Sequence, residues 1–231
     1  MSVPFAPTLS SADRRKLDES DDALFYAEPR FVQHLDDGFR ARLTDLYRQT
    51  IPAGSVVLDL MSSWVSHLPE DVPYQEVIGH GLNTRELRAN PRLNRFWTQN
   101  LNTDPALPLG DDSVDQALIV AGWQYLQYPE AIAAELRRIV RPGGRLIVAF
   151  SNRLFAQKAP QIWLNGDDRE RLTSVATVLM AQGWPQPRLL AEPTRARGPL
   201  GWIGGHGDPF FAVIATVPAD DSRANTSTSD E

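Results

Sequence analysis

Hydrophobic residues follow two rhythms along this chain. Between Pro29 and Gln49, Phe31, Leu35, Phe39, Leu43 and Leu46 fall at spacings of three and four, the stripe of one amphipathic helix. Pro29 suits a first helical position. Pro52-Ala53-Gly54 then breaks the chain, and Val56-Val57-Leu58-Asp59-Leu60 follows as a short apolar run holding one acid. Such a run reads as a central parallel strand buried on both faces. Further strands are predicted over Glu76–Gly79, Phe96–Leu101, Gln116–Ala121, Arg145–Phe150, Gln186–Ala191 and Phe210–Val217. Helices are predicted between them: a short one through Ala89 behind the cap-like Asn83-Thr84-Arg85-Glu86, one over Pro129–Val140, and one over Asp168–Gln182 closed by Gly183.

Seven strands alternating with helices predict an α/β fold, a doubly wound and mostly parallel sheet whose last strand turns back antiparallel. Ligands of such sheets sit beyond the carboxyl ends of the strands, where the strand order reverses. The organisation expected is one domain over residues 21–218, its lid helix within 21–50, between two loose ends. Residues 1–20 are polar with two prolines, and 219–231 are rich in Ser, Thr and Asp, so both are expected to be too poor in apolar surface to order.

Composition narrows the partners. Lys plus Arg total 23 and Asp plus Glu 29, a net charge of −6 over 231 residues, which argues against nucleic acid. No apolar run approaches the roughly 18–20 residues of a membrane span. No leader-like stretch opens the chain, so a cytoplasmic setting is expected. Cysteine is absent and the four histidines show no ligand spacing, so no metal is expected.

Four stretches carry a family resemblance: Leu58-Asp59-Leu60, Val77-Ile78-Gly79, Leu107-Pro108 through Asp111-Asp112-Ser113-Val114-Asp115, and Leu136-Arg137-Arg138-Ile139-Val140-Arg141-Pro142-Gly143-Gly144-Arg145-Leu146. They resemble the class I S-adenosylmethionine-dependent methyltransferases, most closely in the style of the type 11 group. The resemblance spans roughly Val56 to Val217. It implies a Rossmann-like methyltransferase fold, S-adenosylmethionine as cofactor and a small-molecule acceptor. This chain reads as a variant branch: where the family has a glycine-rich first loop it has Met61-Ser62-Ser63-Trp64-Val65, Gly81 stands at the ribose acid, and Asn100 stands at the acid near adenine.

The positions matched for the cofactor are Asp59, Met61, Ser62, Ser63, Gly81, Leu82, Asn83, Asn100, Leu101 and Ala121. Asp59 would meet the cofactor's amino group, or be satisfied by the loop beside it. Ser62 and Ser63 would donate to its carboxylate, or serve the turn. Asn83 is a ribose contact, a helix cap, or both. For the acceptor, Tyr26, Arg30, Trp64, Gln124, Asn152 and Arg153 are the candidates. In a helix Arg30 and His34 lie about 40° apart and share a face outside the apolar stripe. His34 and His67 are the candidate bases, the alternative being structural or surface imidazoles. Arg30, Arg153, Lys158, Arg195 and Arg197 suggest a basic rim and an anionic acceptor. The function expected is methyl transfer to a small molecule. The alternatives are an inactive binding module of the same fold, or other chemistry on a nucleotide-type cofactor.

Overall fold

In the computed structural model, residues 3–194 and 207–219 are described; Arg195, Arg197, Trp202, His206 and the tail from residue 220 lie outside the described residues. Seven strands form one sheet: β1 (Val56–Leu60), β2 (Glu76–Gly81), β3 (Arg95–Thr98), β4 (Val114–Val120), β5 (Val140–Phe150), β6 (Arg188–Glu192) and β7 (Phe210–Thr216). Their order is β3-β2-β1-β4-β5-β7-β6, with only β7 antiparallel to its neighbours. The helices are α1 (Ser11–Arg14), α2 (Asp22–Phe25), α3 (Asp37–Thr50), α4 (Thr84–Ala89), α5 (Pro129–Ile139), α6 (Gln161–Asn165) and α7 (Asp168–Ala181). Among the described residues no helix is long and apolar enough to cross a membrane.

All five residues of β1 are buried because both faces of the sheet are covered. Val57, Leu118 and Ile147 pack with Phe39, Leu43 and Leu46 of α3. Their neighbours Leu58, Ile119 and Leu146 point the other way, to α5 and α7. Each fully buried Leu or Phe contributes about 1.5–3 kcal/mol, so three such side chains hold α3 firmly to its face. The switch point lies between β1 and β4, whose connections leave in opposite directions, and it opens a crevice at their carboxyl ends.

The N-terminal region corrects two expectations. The helix expected from Pro29 begins only at Asp37. Asp36 caps it through Phe39 N–H, and exchanges backbone-to-carboxylate hydrogen bonds with Asp208 in both directions. Residues 29–36 are extended or bent. The segment 3–20 is not loose. Glu130, fully buried on α5, accepts from the Thr8 and Leu9 amides and from the Arg14 guanidinium. Lys158, also fully buried, donates to the Ser20 carbonyl and hydroxyl and pairs with Asp18 at 3.0 Å. The segment orders by supplying polar partners to buried charges rather than by burying apolar surface. Elsewhere the boundaries move by a few residues. β3 spans Arg95–Thr98 rather than Phe96–Leu101, and β5 starts at Val140, directly from α5.

Candidate active site

A cavity of about 640 Å³ opens at the carboxyl ends of β1, β2 and β4, roofed by residues 22–35 and flanked by the segment after β5. It is within the range of small-molecule sites, about 300–1,000 Å³. Its floor is the loop after β1. Met61 there has φ 59°, the left-handed conformation that favours glycine, and Ala121 at the end of β4 has φ 48°. Two non-glycine residues held this way on facing strand ends mark the cavity as a place where backbone shape is imposed by its surroundings.

His80 imposes much of it. Its Nδ1 accepts from Met61 N–H at 3.2 Å, so the ring proton sits on Nε2, which donates to the Gln99 carbonyl at 2.9 Å. The His80 carbonyl also accepts from Ser62 N–H at 2.6 Å. Burial holds this imidazole down at a pKa of about 4, so it is neutral. Residue type alone did not reveal this clamp: a lone histidine in a strand carries no ligand spacing.

The loop lacks glycine, but two glycines face it. A β-carbon on Gly81 would lie 2.5 Å from the Ser62 carbonyl oxygen, and one on Gly122 would lie 2.8 Å from Met61 Cβ. The close approach that glycines in the loop would give is provided from the facing strands. Ser62 donates its hydroxyl to Asp59 at 2.6 Å, and Ser63 donates to Glu86 at 2.6 Å. Glu86 also accepts from Arg30 N–H. Asn83 caps α4 through Arg85 and Glu86 N–H, while its amide donates to the Tyr26 and Ala27 carbonyls. That side chain is both cap and tether for the roof.

The cavity brings together Tyr26, Arg30 and His34 from the roof, Met61, Ser62 and Ser63 from the floor, and Gly81, Leu82 and Asn83 after β2. Asn100, Leu101, Ala121, Gln124, Asn152 and Arg153 complete the wall. Arg30 and His34 are there although no helix face presents them. Three expected residues are elsewhere. Trp64 leans on Phe31 and donates to the Val32 carbonyl outside the main cavity. His67 and Asp59 line a smaller adjoining cavity of about 80 Å³. Burial lowers His67 to a pKa of about 4, and its backbone, at φ 54°, accepts from the Thr44 hydroxyl. Burial raises Asp59 to about 6, against the hydroxyls of Ser62 and Ser66. Asn100 is spoken for, donating to Asp21 at 2.8 Å. The basic rim shrinks: Lys158 is enclosed as described, and Arg153 pairs with Asp208 at 2.6 Å.

The comparisons agree with this geometry. A family model described as a methyltransferase domain, of the type 11 kind, matches residues 62–148. The fold is that of the class I S-adenosylmethionine-dependent methyltransferases. An S-adenosylmethionine-dependent methyltransferase from Aquifex aeolicus superposes with a TM-score of 0.53 at 16% identity, over 85% of this chain and 97% of that one. A chain of the complex between the Haloferax volcanii Trm112 methyltransferase activator and a methyltransferase gives 0.57 at 13% identity, over 80% and 91%. The cyclase SpnF gives 0.56 at 15% identity, over 87% and 92%. No curated protein sequence matches the chain. Within this methyltransferase fold the loop after β1 carries Met61, Ser62 and Ser63 without a glycine, and the cavity beside it measures about 640 Å³.

Proposed function

We propose that this chain is an S-adenosylmethionine-dependent methyltransferase acting on a small molecule. The observation that carries the reading is the cavity at the β1/β4 switch point, floored by the family-matched loop and cradled by Gly81 and Gly122. Ser62, Ser63, Gly81, Leu82, Asn83 and Leu101 line the cavity where the cofactor would sit; the Ser62, Ser63 and Asn83 side chains are already hydrogen-bonded to Asp59, Glu86 and the roof, so they would shape the site rather than ligate. When bound, the cofactor supplies an electrophilic methyl group on a sulfonium, so that a nucleophile aligned behind it needs little covalent help.

The chain's own part is alignment, exclusion of water and, for a hydroxyl or amine acceptor, removal of one proton. His34 suits that last role. It lines the cavity, and burial together with the Arg30 charge lowers its pKa, so it is neutral at pH 7 and can accept a proton. Gln124 and Tyr125, after β4, and Asn152, after β5, border the acceptor side. A second reading, other chemistry or binding without turnover in the same cavity, draws on Gly81 and on Asn100, whose amide is committed to Asp21. Calorimetric titration with S-adenosylhomocysteine tests both: methyl transfer requires binding, and folded protein that binds none rules it out.

A further inference from the structure

Arg30 is a cation with no carboxylate partner among the described residues. Its guanidinium carbon lies 4.3 Å from the centre of the Phe25 ring, 5.1 Å from Phe155 and 5.3 Å from Tyr26. Nη2 donates to the Phe25 carbonyl, while Nη1 is buried and without a partner. The two acids of the same cavity do not neutralise it. Asp22 is held by Lys16 at 2.8 Å and by Asn102 at 2.7 Å. Glu86 accepts from the Arg30 amide and the Ser63 hydroxyl. Arg30 is half-buried, so its charge is only partly solvated, and ring faces offset part of what the missing counter-ion would give.

A second orphan borders the same cavity. Gln124 is 1% exposed, and its Oε1 has no hydrogen-bond donor. It adjoins Tyr125, whose ring stacks on Phe155 at 6.1 Å and whose hydroxyl accepts from Phe155 N–H. Phe155 thus lies against both the Arg30 guanidinium and Tyr125, the neighbour of Gln124 in sequence. The unmet demands are complementary: one unpaired cation and one neutral acceptor, in a cavity also lined by Tyr26, Tyr125 and Phe155.

We propose that the acceptor is a small aromatic carboxylic acid carrying a hydroxyl or amine, its carboxylate seated on Arg30 and its O–H or N–H donated to Gln124. This deepens the methyl-transfer reading and rests on it for the fate of the acid, though not for its binding. Arg30 brings a single positive charge, which suits a monoanion. A phosphate dianion would call for a second cation, and those beside the cavity are committed, Arg153 to Asp208, Lys158 to Asp18 and Ser20, and Lys16 to Asp22.

Calorimetry on the full chain, with and without saturating S-adenosylhomocysteine, tests this with 4-hydroxybenzoate, benzoate, 4-hydroxybenzamide and phenyl phosphate. A charge-assisted hydrogen bond corresponds to about 10–100-fold in affinity. The expected result is that 4-hydroxybenzoate binds at least about tenfold tighter than the neutral amide. Arg30→Gln is expected to erase that advantage without weakening the amide or S-adenosylhomocysteine. Gln124→Leu, an independent variant should the first not fold, is expected to bring 4-hydroxybenzoate down to the level of benzoate. The proposal is overturned if acid and amide bind alike, if no acid binds, or if phenyl phosphate is preferred. It is also overturned if Arg30→Gln weakens S-adenosylhomocysteine as much as the acid, because Arg30 would then seat the cofactor's own carboxylate. Failure of S-adenosylhomocysteine to bind, with acid binding intact, would overturn the methyl-transfer reading and leave this one standing.

Discussion

The carbonyl oxygen of Ser62 occupies the space that a side chain on Gly81 would need, 2.5 Å from an ideal β-carbon there. Side chains in the floor loop and the missing side chain on β2 are therefore one compensated arrangement. The loop can carry Met61, Ser62 and Ser63 because the strand facing it carries none at position 81.

Gly81→Ala is expected to cost about 1–3 kcal/mol, because the obstructing atom is backbone and cannot swing away. Gly81→Asp, which restores the acid of the family pattern, is expected to cost more and to weaken S-adenosylhomocysteine binding rather than improve it. Gly110→Ala, where nothing lies within 4 Å, serves as the control. Urea denaturation of the three variants checks the order.

Replacing Met61 and Ser63 by glycine is expected to weaken S-adenosylhomocysteine. The exchange removes the Ser63–Glu86 hydrogen bond and adds backbone freedom to a loop already held in its conformation by His80. Stronger binding by the double variant would show that the loop has degenerated.

Stability should fall as the solution is acidified from about pH 6.5 towards about pH 4. His80 and His67 have folded pKa values near 4, below the unfolded value of about 6.5. Over that window the unfolded chain binds more protons, so acidification favours it. His80→Gln should flatten part of this slope and, by releasing Met61 N–H, loosen the floor loop. Tm measured across pH is the readout, and an unchanged slope in His80→Gln would contradict it.

Asp59 acts in the opposite sense. Its folded pKa of about 6 lies above the unfolded value of about 3.9. The folded state then holds the extra proton between those values, and stability from this group declines as pH rises through that window. Asp59→Asn should remove the decline and leave the protein more stable relative to wild type at pH 7 than at pH 4. The same pH series of Tm measurements checks it.

Glu130→Ala should release the N-terminal segment. Burial raises the Glu130 pKa, but Arg14 and the Thr8 and Leu9 amides more than reverse this and hold it at about 2. Removing the carboxylate strands Arg14 and two amides, a loss of about 3–5 kcal/mol if the segment stayed in place. Limited proteolysis should cut residues 3–20 much faster in the variant, while α5 remains protected.

The sequence by itself determined the sheet. Runs such as Val56–Leu60, apolar but for Asp59, and Leu146–Phe150 are hydrophobic because both faces are covered, and helical stripes between them leave few alternatives to a doubly wound order. It also placed most of the cavity wall, because loops at the carboxyl ends of parallel strands converge whatever their composition. Asn83 was legible as a cap, since capping depends on three neighbouring residues. Only the tertiary structure decided what depends on partners distant in sequence. Asp208, 172 residues from Asp36, sets where α3 begins, and Glu130 orders a segment whose composition alone suggests disorder. His80 and Gly81 together give the floor loop its shape, and Arg30 reaches the cavity from an extended stretch rather than a helix face. Hydrophobic periodicity is a local signal that survives in one dimension; the pairing of buried polar groups is not, because each partner is chosen by where the fold brings it.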